Sequence, residues 1–309
     1  LNENIEMKKP SNLYEPIQYI LQQQGKRLRP ILTLMTCELF NGEVDKAYDA
    51  ALAVEVFHNF TLVHDDIMDN AAMRRGEATV YKKWGLNAGV LSGDAMMIMA
   101  YRCLDGYEAT LLKKLIQLFG KTALEVCEGQ QMDIDFESKT DVTIAEYMKM
   151  ISFKTSVLVA TAMKMGAMIA NASEEDAVKI YNFGLNLGIA FQLQDDYLDT
   201  FGDFEIFGKN IGGDIKENKK TFLFLKALEV SESQEKKQLL ELYNVSGQVP
   251  NKVSQVVQIF ENNNIPKIVT KEIEKYTAKA LGILSNMSIN EEKKALLKSF
   301  GLNLMNRVI

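Results

Sequence analysis

Residues 46–64 read KAYDAALAVEVFHNFTLVH, and they decide the fold. Apolar side chains recur there at three- and four-residue intervals, with alanine and leucine throughout, which is the period of a helix with a broad buried face. The pattern returns at 143–170 (TIAEYMKMISFKTSVLVATAMKMGAMIA) and at 176–201, on faces wide enough for the central helices of a large bundle. The prolines agree. Five occur, at 10, 16, 30, 250 and 266, so none interrupts 31–249. So long a stretch without a helix breaker suits packed helices better than a sheet protein. No segment shows clean period-two alternation bounded by hairpin turns. The expectation is all-α: one large helical bundle forming a single domain over 1–309, with breaks at NGE (41–43), RRGE (74–77), ESKTD (137–141) and the polar stretch 202–220. From 226 onward, Lys/Glu-rich helical segments alternate with short polar breaks such as SGQVPN and ENNNIP, as solvated outer helices do.

Composition excludes several classes. The 309 residues are 47% hydrophobic and 25% charged, enough to bury a large core. Lys and Arg number 35 against 41 Asp and Glu, and a net charge of −6 argues against a nucleic-acid partner. No apolar run reaches the roughly 18 residues of a membrane helix. The opening LNENIEMKKP has no apolar signal core, so a cytoplasmic protein is expected. Cys37, Cys103 and Cys127 are odd in number, far apart and free of any CxxC, and read as reduced, mostly buried thiols.

Chemistry concentrates in two matched segments. FTLVHDDIMD (60–69) and FQLQDDYLDT (191–200) each place an aromatic and a leucine before Asp-Asp-x-x-Asp. Asp65 and Asp69 lie four apart, on one helix face a turn from each other, with Asp66 beside them. Asp195, Asp196 and Asp199 repeat that geometry. Both clusters close apolar helices, where like charges repel and oppose the helix dipole, so a cation should offset them. Hard oxygen donors with no Cys pair or His set favour Mg²⁺. A solvated acidic helix end accounts for one such cluster more easily than for two matched ones.

Basic residues flank the breaks: Lys26, Arg27 and Arg29 in GKRLRP, Arg74 and Arg75 after the first cluster, and Lys209, Lys216, Lys219 and Lys220 after the second. Singly each could be a solvated charge; beside acid clusters they suggest phosphate held between cations and bridging Mg²⁺. No GxxxxGK[ST], no GxGxxG after a strand, no HExxH and no GxSxG is present, and a di-iron bundle would need Glu-x-x-His pairs that are missing. His64 reads as a core histidine.

In combination, GKRLRP, LVHDDIMDNAAMRRG, the Lys-Thr pair of FKTS, FQLQDDYLD and GKNIGGDIKENKKT resemble the trans-isoprenyl diphosphate synthases, in the right order over positions 25 to 221. The resemblance implies the isoprenoid synthase fold around a central cavity. It also implies condensation of isopentenyl diphosphate with an allylic diphosphate (dimethylallyl, geranyl or farnesyl). An allylic cation formed by loss of diphosphate would be attacked by the isopentenyl double bond. The implied cofactor is Mg²⁺, three ions when diphosphate is bound, held at Asp65, Asp66, Asp69, Asp195, Asp196 and Asp199. Of these, Asp65, Asp69 and Asp195 would be principal, with Asp66 and Asp199 in support. Arg74, Lys154, Thr155, Gln192 and Lys209 would grip the allylic diphosphate, Lys26, Arg29, His58 and Arg75 would bind isopentenyl diphosphate, and Lys219 would lie near the diphosphates. The residues expected to carry catalysis are Lys154, Thr155, Gln192, Lys209, Asp65 and Asp195. A homodimer is also implied, with the apolar faces of 86–104 available for it.

Product length follows from depth below the aspartates. Phe60 lies five residues before Asp65, about 7.5 Å deeper at 1.5 Å per residue, and Phe57 about a turn further. An aromatic at that depth is the chain-length floor of short-chain members, while Thr61 is small; Met96, Met97 and Met99 could form an opposite wall. Geranylgeranyl diphosphate is the favoured product, farnesyl diphosphate the next. Two alternatives are a class I terpene cyclase, which has no second diphosphate to hold, and a non-catalytic subunit of a hetero-oligomeric synthase, which would tolerate lost aspartates.

Overall fold

The computed structural model describes residues 9–202, 212–244 and 250–305. Helices dominate: α1 (Ser11–Gln22), α2 (Leu28–Leu39), α3 (Tyr48–Met68), α4 (Val80–Trp84), α5 (Leu86–Arg102), α6 (Ala109–Ser138), α7 (Ile144–Ile151), α8 (Val157–Ile169) and α9 (Glu174–Phe201), followed by further helices up to Met305. The all-α expectation holds, and the helix expected over 46–64 runs from 48 to 68 after a short 3₁₀ turn at Val44–Ala47. The 143–170 segment becomes α7, a π-helical turn over Ser152–Ser156, and α8. Thr143 starts α7 with a capping box, its side chain accepting from the Glu146 amide while Glu146 reaches back to the Thr143 amide.

One expectation is corrected at RRGE. Met73–Arg74 and Glu77–Ala78 pair antiparallel as a two-residue hairpin, β1 and β2. Arg75 (φ 52°) and Gly76 (φ 82°) take the left-handed conformations that a tight two-residue hairpin turn requires. Strands of two residues are too short to show alternation, which is why the sequence hides them.

The chain divides into two compact units, one of Leu1–Gly120 with Ala162–Ala177, the other of Lys121–Thr161 with Val178–Ile309. The boundaries fall inside α6, α8 and α9. In the first unit α3 is buried almost all round, through Ala50, Ala53, Val54, Phe57, Phe60 and Val63. Each such large apolar side chain contributes about 1.5–3 kcal/mol by leaving water. In the second, α9 buries Ile180, Phe183, Leu187, Ala190 and Leu193. The helices after residue 232 bury one stripe (Leu239, Ile259, Phe260, Val269, Leu297) and expose most of their Lys and Glu residues, although Lys252 is buried. Among the described residues no helix is long and apolar enough to cross a membrane. All three cysteines are free, but only Cys37 is buried; Cys127 is exposed because it lies on the outer side of α6.

Candidate active site

In the first unit the aspartates occupy the C-terminal end of α3, with Asp69 as its cap. Helical rotation separates their roles. Asp65 is half-buried, Asp69 exposed and Asp66 fully buried at 1% exposure. Arg74 reaches back from β1: its Nε donates to Asp66 Oδ1 at 2.8 Å, and its guanidinium lies 3.5 Å from Asp65 Oδ2. Burial pushes the Asp66 carboxyl up to about 6, against the pull of Arg74. Its Oδ2 is buried without a hydrogen-bond partner.

The basic residues expected to bind the second diphosphate meet in the same unit. Arg29 Nη1 lies 3.1 Å from His58 Nε2. Arg75, at the hairpin tip, brings its guanidinium over Gly25, where an added side chain would meet it at 3.0 Å. Lys26 is exposed beside them. Burial, then the charges of Arg29, Arg75, Arg74 and Arg27, hold His58 well below its usual value. It is therefore neutral, and Nε2 accepts from Arg29. Partial burial and the neighbouring Arg27 and Arg74 also lower Arg75. Four guanidiniums around one neutral imidazole form a strongly anion-seeking site. Arg27, grouped in the sequence with the cations that suggest phosphate, is a support. Bonded to Glu55 and to the carbonyls of Leu21 and Gln23 (2.7 Å each), it fixes the loop that presents Lys26. Gln22 to Arg27 line an open pocket of about 600 Å³.

In the second unit, Lys154 and Thr155 lie on the π-turn, a feature common at functional sites. Two glycines wedge it in place. A Cβ on Gly129 of α6 would fall 2.3 Å from the Lys154 nitrogen, and one on Gly188 of α9 would fall 2.9 Å from Ser156. Lys154 Nζ donates to Asp133 Oδ2 at 2.6 Å. Thr155 donates to Gln192 Oε1 at 3.0 Å, and Gln192 Nε2 donates to Asp196 Oδ1 at 3.0 Å. The second cluster repeats the rotation of the first: Asp195 and Asp199 are half-buried, whereas Asp196 is buried and bonded to Tyr147. Burial, then the Asp214 charge, pushes Asp196 up to about 8, while Tyr147 and Gln192 pull it back. The Asp214 amide donates to Asp199 Oδ2 at 2.9 Å, and Gly212 donates to the Asp199 carbonyl at 2.6 Å. Lys219 lies 3.7 Å from Asp214 and 2.9 Å from Glu217. Lys209 lies outside the described residues.

Asp133, Tyr147 and Asp214 went unrecognised in the sequence. A signal existed for Asp133, an acid in the apolar-patterned GQQMD (129–133) just after a helix glycine. Tyr147 and Asp214 carried none. Asp66 and Asp196, expected among the metal ligands, turn into the protein, and the protein itself holds both oxygens of Asp196. Among the described residues no three or more His, Cys, Asp or Glu side chains form a ready-made metal cage. The hard, part-exposed carboxylates of Asp65, Asp69, Asp195 and Asp199 nonetheless suit Mg²⁺. That ion takes one or two protein carboxylates and completes its shell with water and phosphate.

Below the first cluster, Phe60 and Phe57 are buried (7% and 1% exposed) with ring centroids 5.3 Å apart. Phe119 of α6 packs on Phe57 at 5.2 Å, and Tyr101 of α5 on Phe119 at 5.1 Å, extending the aromatic layer across three helices. Thr61 donates to the His58 carbonyl at 2.7 Å. Met96 is buried. His64 is half-buried rather than core: Nε2 lies 3.1 Å from the Val90 carbonyl, and its ring meets Phe60 edge-on.

Comparison with known proteins bears on this arrangement. Residues 10–261 match the family model described as polyprenyl synthetase. The chain is similar to a geranylgeranyl diphosphate synthase of Sulfolobus acidocaldarius, 41% identical over 74% of this chain and 71% of that one. A solved geranylgeranyl pyrophosphate synthase superposes with a TM-score of 0.94 at 48% identity, over 99% of this chain and 95% of that one. The geranylgeranyl pyrophosphate synthetase of Pyrococcus horikoshii superposes with a TM-score of 0.92 at 32% identity, over 98% and 93%.

Proposed function

The chain belongs to the polyprenyl synthetase family and is a prenyltransferase, and on that premise we propose that it joins isopentenyl diphosphate to an allylic diphosphate in a Mg²⁺-dependent head-to-tail (1'-4) condensation. The product is a short all-trans prenyl diphosphate, geranylgeranyl favoured and farnesyl next. One observation carries the reading: four arginines crowd a neutral His58 and one of them, Arg74, also grips the Asp65–Asp66 pair. Cations that repel one another beside carboxylates that need a cation call for a bound diphosphate with its metal.

In this mechanism Lys26, Arg29, His58 and Arg75 hold isopentenyl diphosphate. Neutral His58 accepts from Arg29 and so orients its guanidinium. Arg74, Lys154, Thr155, Gln192, Lys209 and Lys219 hold and orient the allylic diphosphate. Asp65, Asp69, Asp195 and Asp199 would hold Mg²⁺, which supplies positive charge against the leaving diphosphate, with Asp66 and Asp196 buttressing them from behind. Apolar helix walls exclude the water that would quench the allylic cation. Attack leaves a cation on the isopentenyl unit; the adjacent carbon loses a proton to the departing diphosphate, the strongest base at hand, and that electron pair restores a double bond. The buried Phe60–Phe57 layer, continued by Phe119, limits the growing chain to fifteen to twenty carbons.

The test is product analysis: the purified chain, Mg²⁺, isopentenyl diphosphate and each allylic starter in turn, with the dephosphorylated alcohols sized. A dominant twenty- or fifteen-carbon alcohol supports the reading. Cyclic hydrocarbon from a single starter would replace it with a cyclase, and absence of any product would favour a non-catalytic subunit. The protein works as a cytoplasmic homodimer in this reading, because α5 exposes Leu86, Leu91 and Ile98 (55%, 60% and 59%) along one helix, an apolar surface that self-association would cover. Leu91→Lys should then shift the sedimenting species to a monomer, and an unchanged mass would count against that face.

A further inference from the structure

We propose that Tyr147 is a positioning residue for this reaction, holding Gln192 and Thr155 in one fixed orientation by anchoring Asp196. The inference rests on the function proposed above and concerns a side chain that meets neither diphosphate.

Tyr147 sits on α7 at 2% exposure, and its hydroxyl donates to Asp196 Oδ2. Asp196, on α9 and 6% exposed, accepts at its other oxygen from Gln192 Nε2 at 3.0 Å. Gln192 in turn accepts from the Thr155 hydroxyl at 3.0 Å. Asp196 Oδ1 accepts from the Gln192 amide nitrogen, so this carboxyl sets which end of the Gln192 amide faces it and leaves the carbonyl end for Thr155. Every hydrogen bond in the chain therefore points toward one buried carboxylate. The Thr155 hydrogen is committed inward, and that hydroxyl offers its lone pairs outward.

The network ties α7, the π-turn and α9 together, and its ends differ in burial. Tyr147 and Asp196 are sealed, while Gln192 and Thr155 are half-exposed. A sealed phenol that bonds to a sealed carboxylate can reach substrate only through the side chains beyond it. Losing the phenol would leave one oxygen of Asp196 unsatisfied in the interior and free Asp196 to rotate, and Gln192 and Thr155 would lose their common reference.

Tyr147→Phe removes the hydroxyl alone. Turnover is expected to fall about tenfold, the scale of one buried hydrogen bond, with the KM for geranyl diphosphate rising and that for isopentenyl diphosphate held within about twofold. In a Gln192→Ala background the same substitution should cost less than about twofold, because its route to the substrate is already cut. Wild-type kinetics in Tyr147→Phe, or an undiminished cost in that background, would overturn the proposal. If Tyr147→Phe does not fold, Asp196→Asn serves. It keeps the Tyr147 bond but lets the Gln192 amide turn over, so the same selective KM change is expected and unchanged kinetics would overturn the role. A wild-type chain that condenses none of the three allylic starters would reject the function itself, and this role with it.

Discussion

The two aspartate clusters share spacing and helix-end position, yet they are balanced by opposite means. In each, the outer aspartates are accessible or half-buried and the middle one is buried. Asp66 is held by a cation, the Arg74 guanidinium at 2.8 Å. Asp196 is held by two neutral donors, Tyr147 and Gln192. Burial and the nearby Asp214 charge push Asp196 up to about 8, whereas burial raises Asp66 only to about 6 because the Arg74 charge pulls it back. Identical spacing thus leaves one cluster closed by an arginine and the other held in a hydrogen-bonded frame. Arg74 is part-exposed, whereas Tyr147 is sealed.

The severest challenge to that contrast is deletion of an outer carboxylate. Asp65→Ala and Asp195→Ala should each lower kcat by roughly 10²–10³-fold, the cost of losing one preorganised electrostatic group, in steady-state assays at saturating Mg²⁺. Nearly as damaging should be Gly129→Ala. Its new methyl meets the backbone of the π-turn at 2.3 Å, so Lys154 and Thr155 must move. Overpacking of about 1–3 kcal/mol in urea unfolding and a large activity loss are expected.

Arg74→Leu probes the charged half directly. It should destabilise by about 2 kcal/mol without Mg²⁺, below the roughly 3–5 kcal/mol of a fully buried pair because Arg74 is 24% exposed. Asp66 has a raised carboxyl, so it is neutral below about pH 6 and needs a partner only above it. The loss should therefore be larger at pH 7.5 than at pH 5, and a loss that grew on acidification would contradict the pairing. Smallest in its effect on turnover, Phe60→Ala should leave condensation standing and lengthen the product, read by sizing the alcohols. Unchanged length would move the floor to Phe57 and Phe119.

Much of this was legible before any coordinates. Long apolar periodicity without proline gave the helices, because a 3.6-residue repeat is a local property of the chain. The Asp-Asp-x-x-Asp spacing put carboxylates on one face of each helix for the same reason, and the basic segments that come together around His58 were recognisable as motifs. The RRGE hairpin was missed because two-residue strands have no period. Tyr147, Asp133 and Asp214 were missed because each acts on a residue far along the chain, 49 positions away for Tyr147 and Asp196. The sequence by itself determined the helices, the acidic and basic character of the site, and which residues share a helix face. Only the tertiary structure decided which member of each aspartate cluster is buried, and whether a charge or a hydroxyl meets it there. Burial and partnership depend on which distant helix packs against that face, and no local periodicity carries that information.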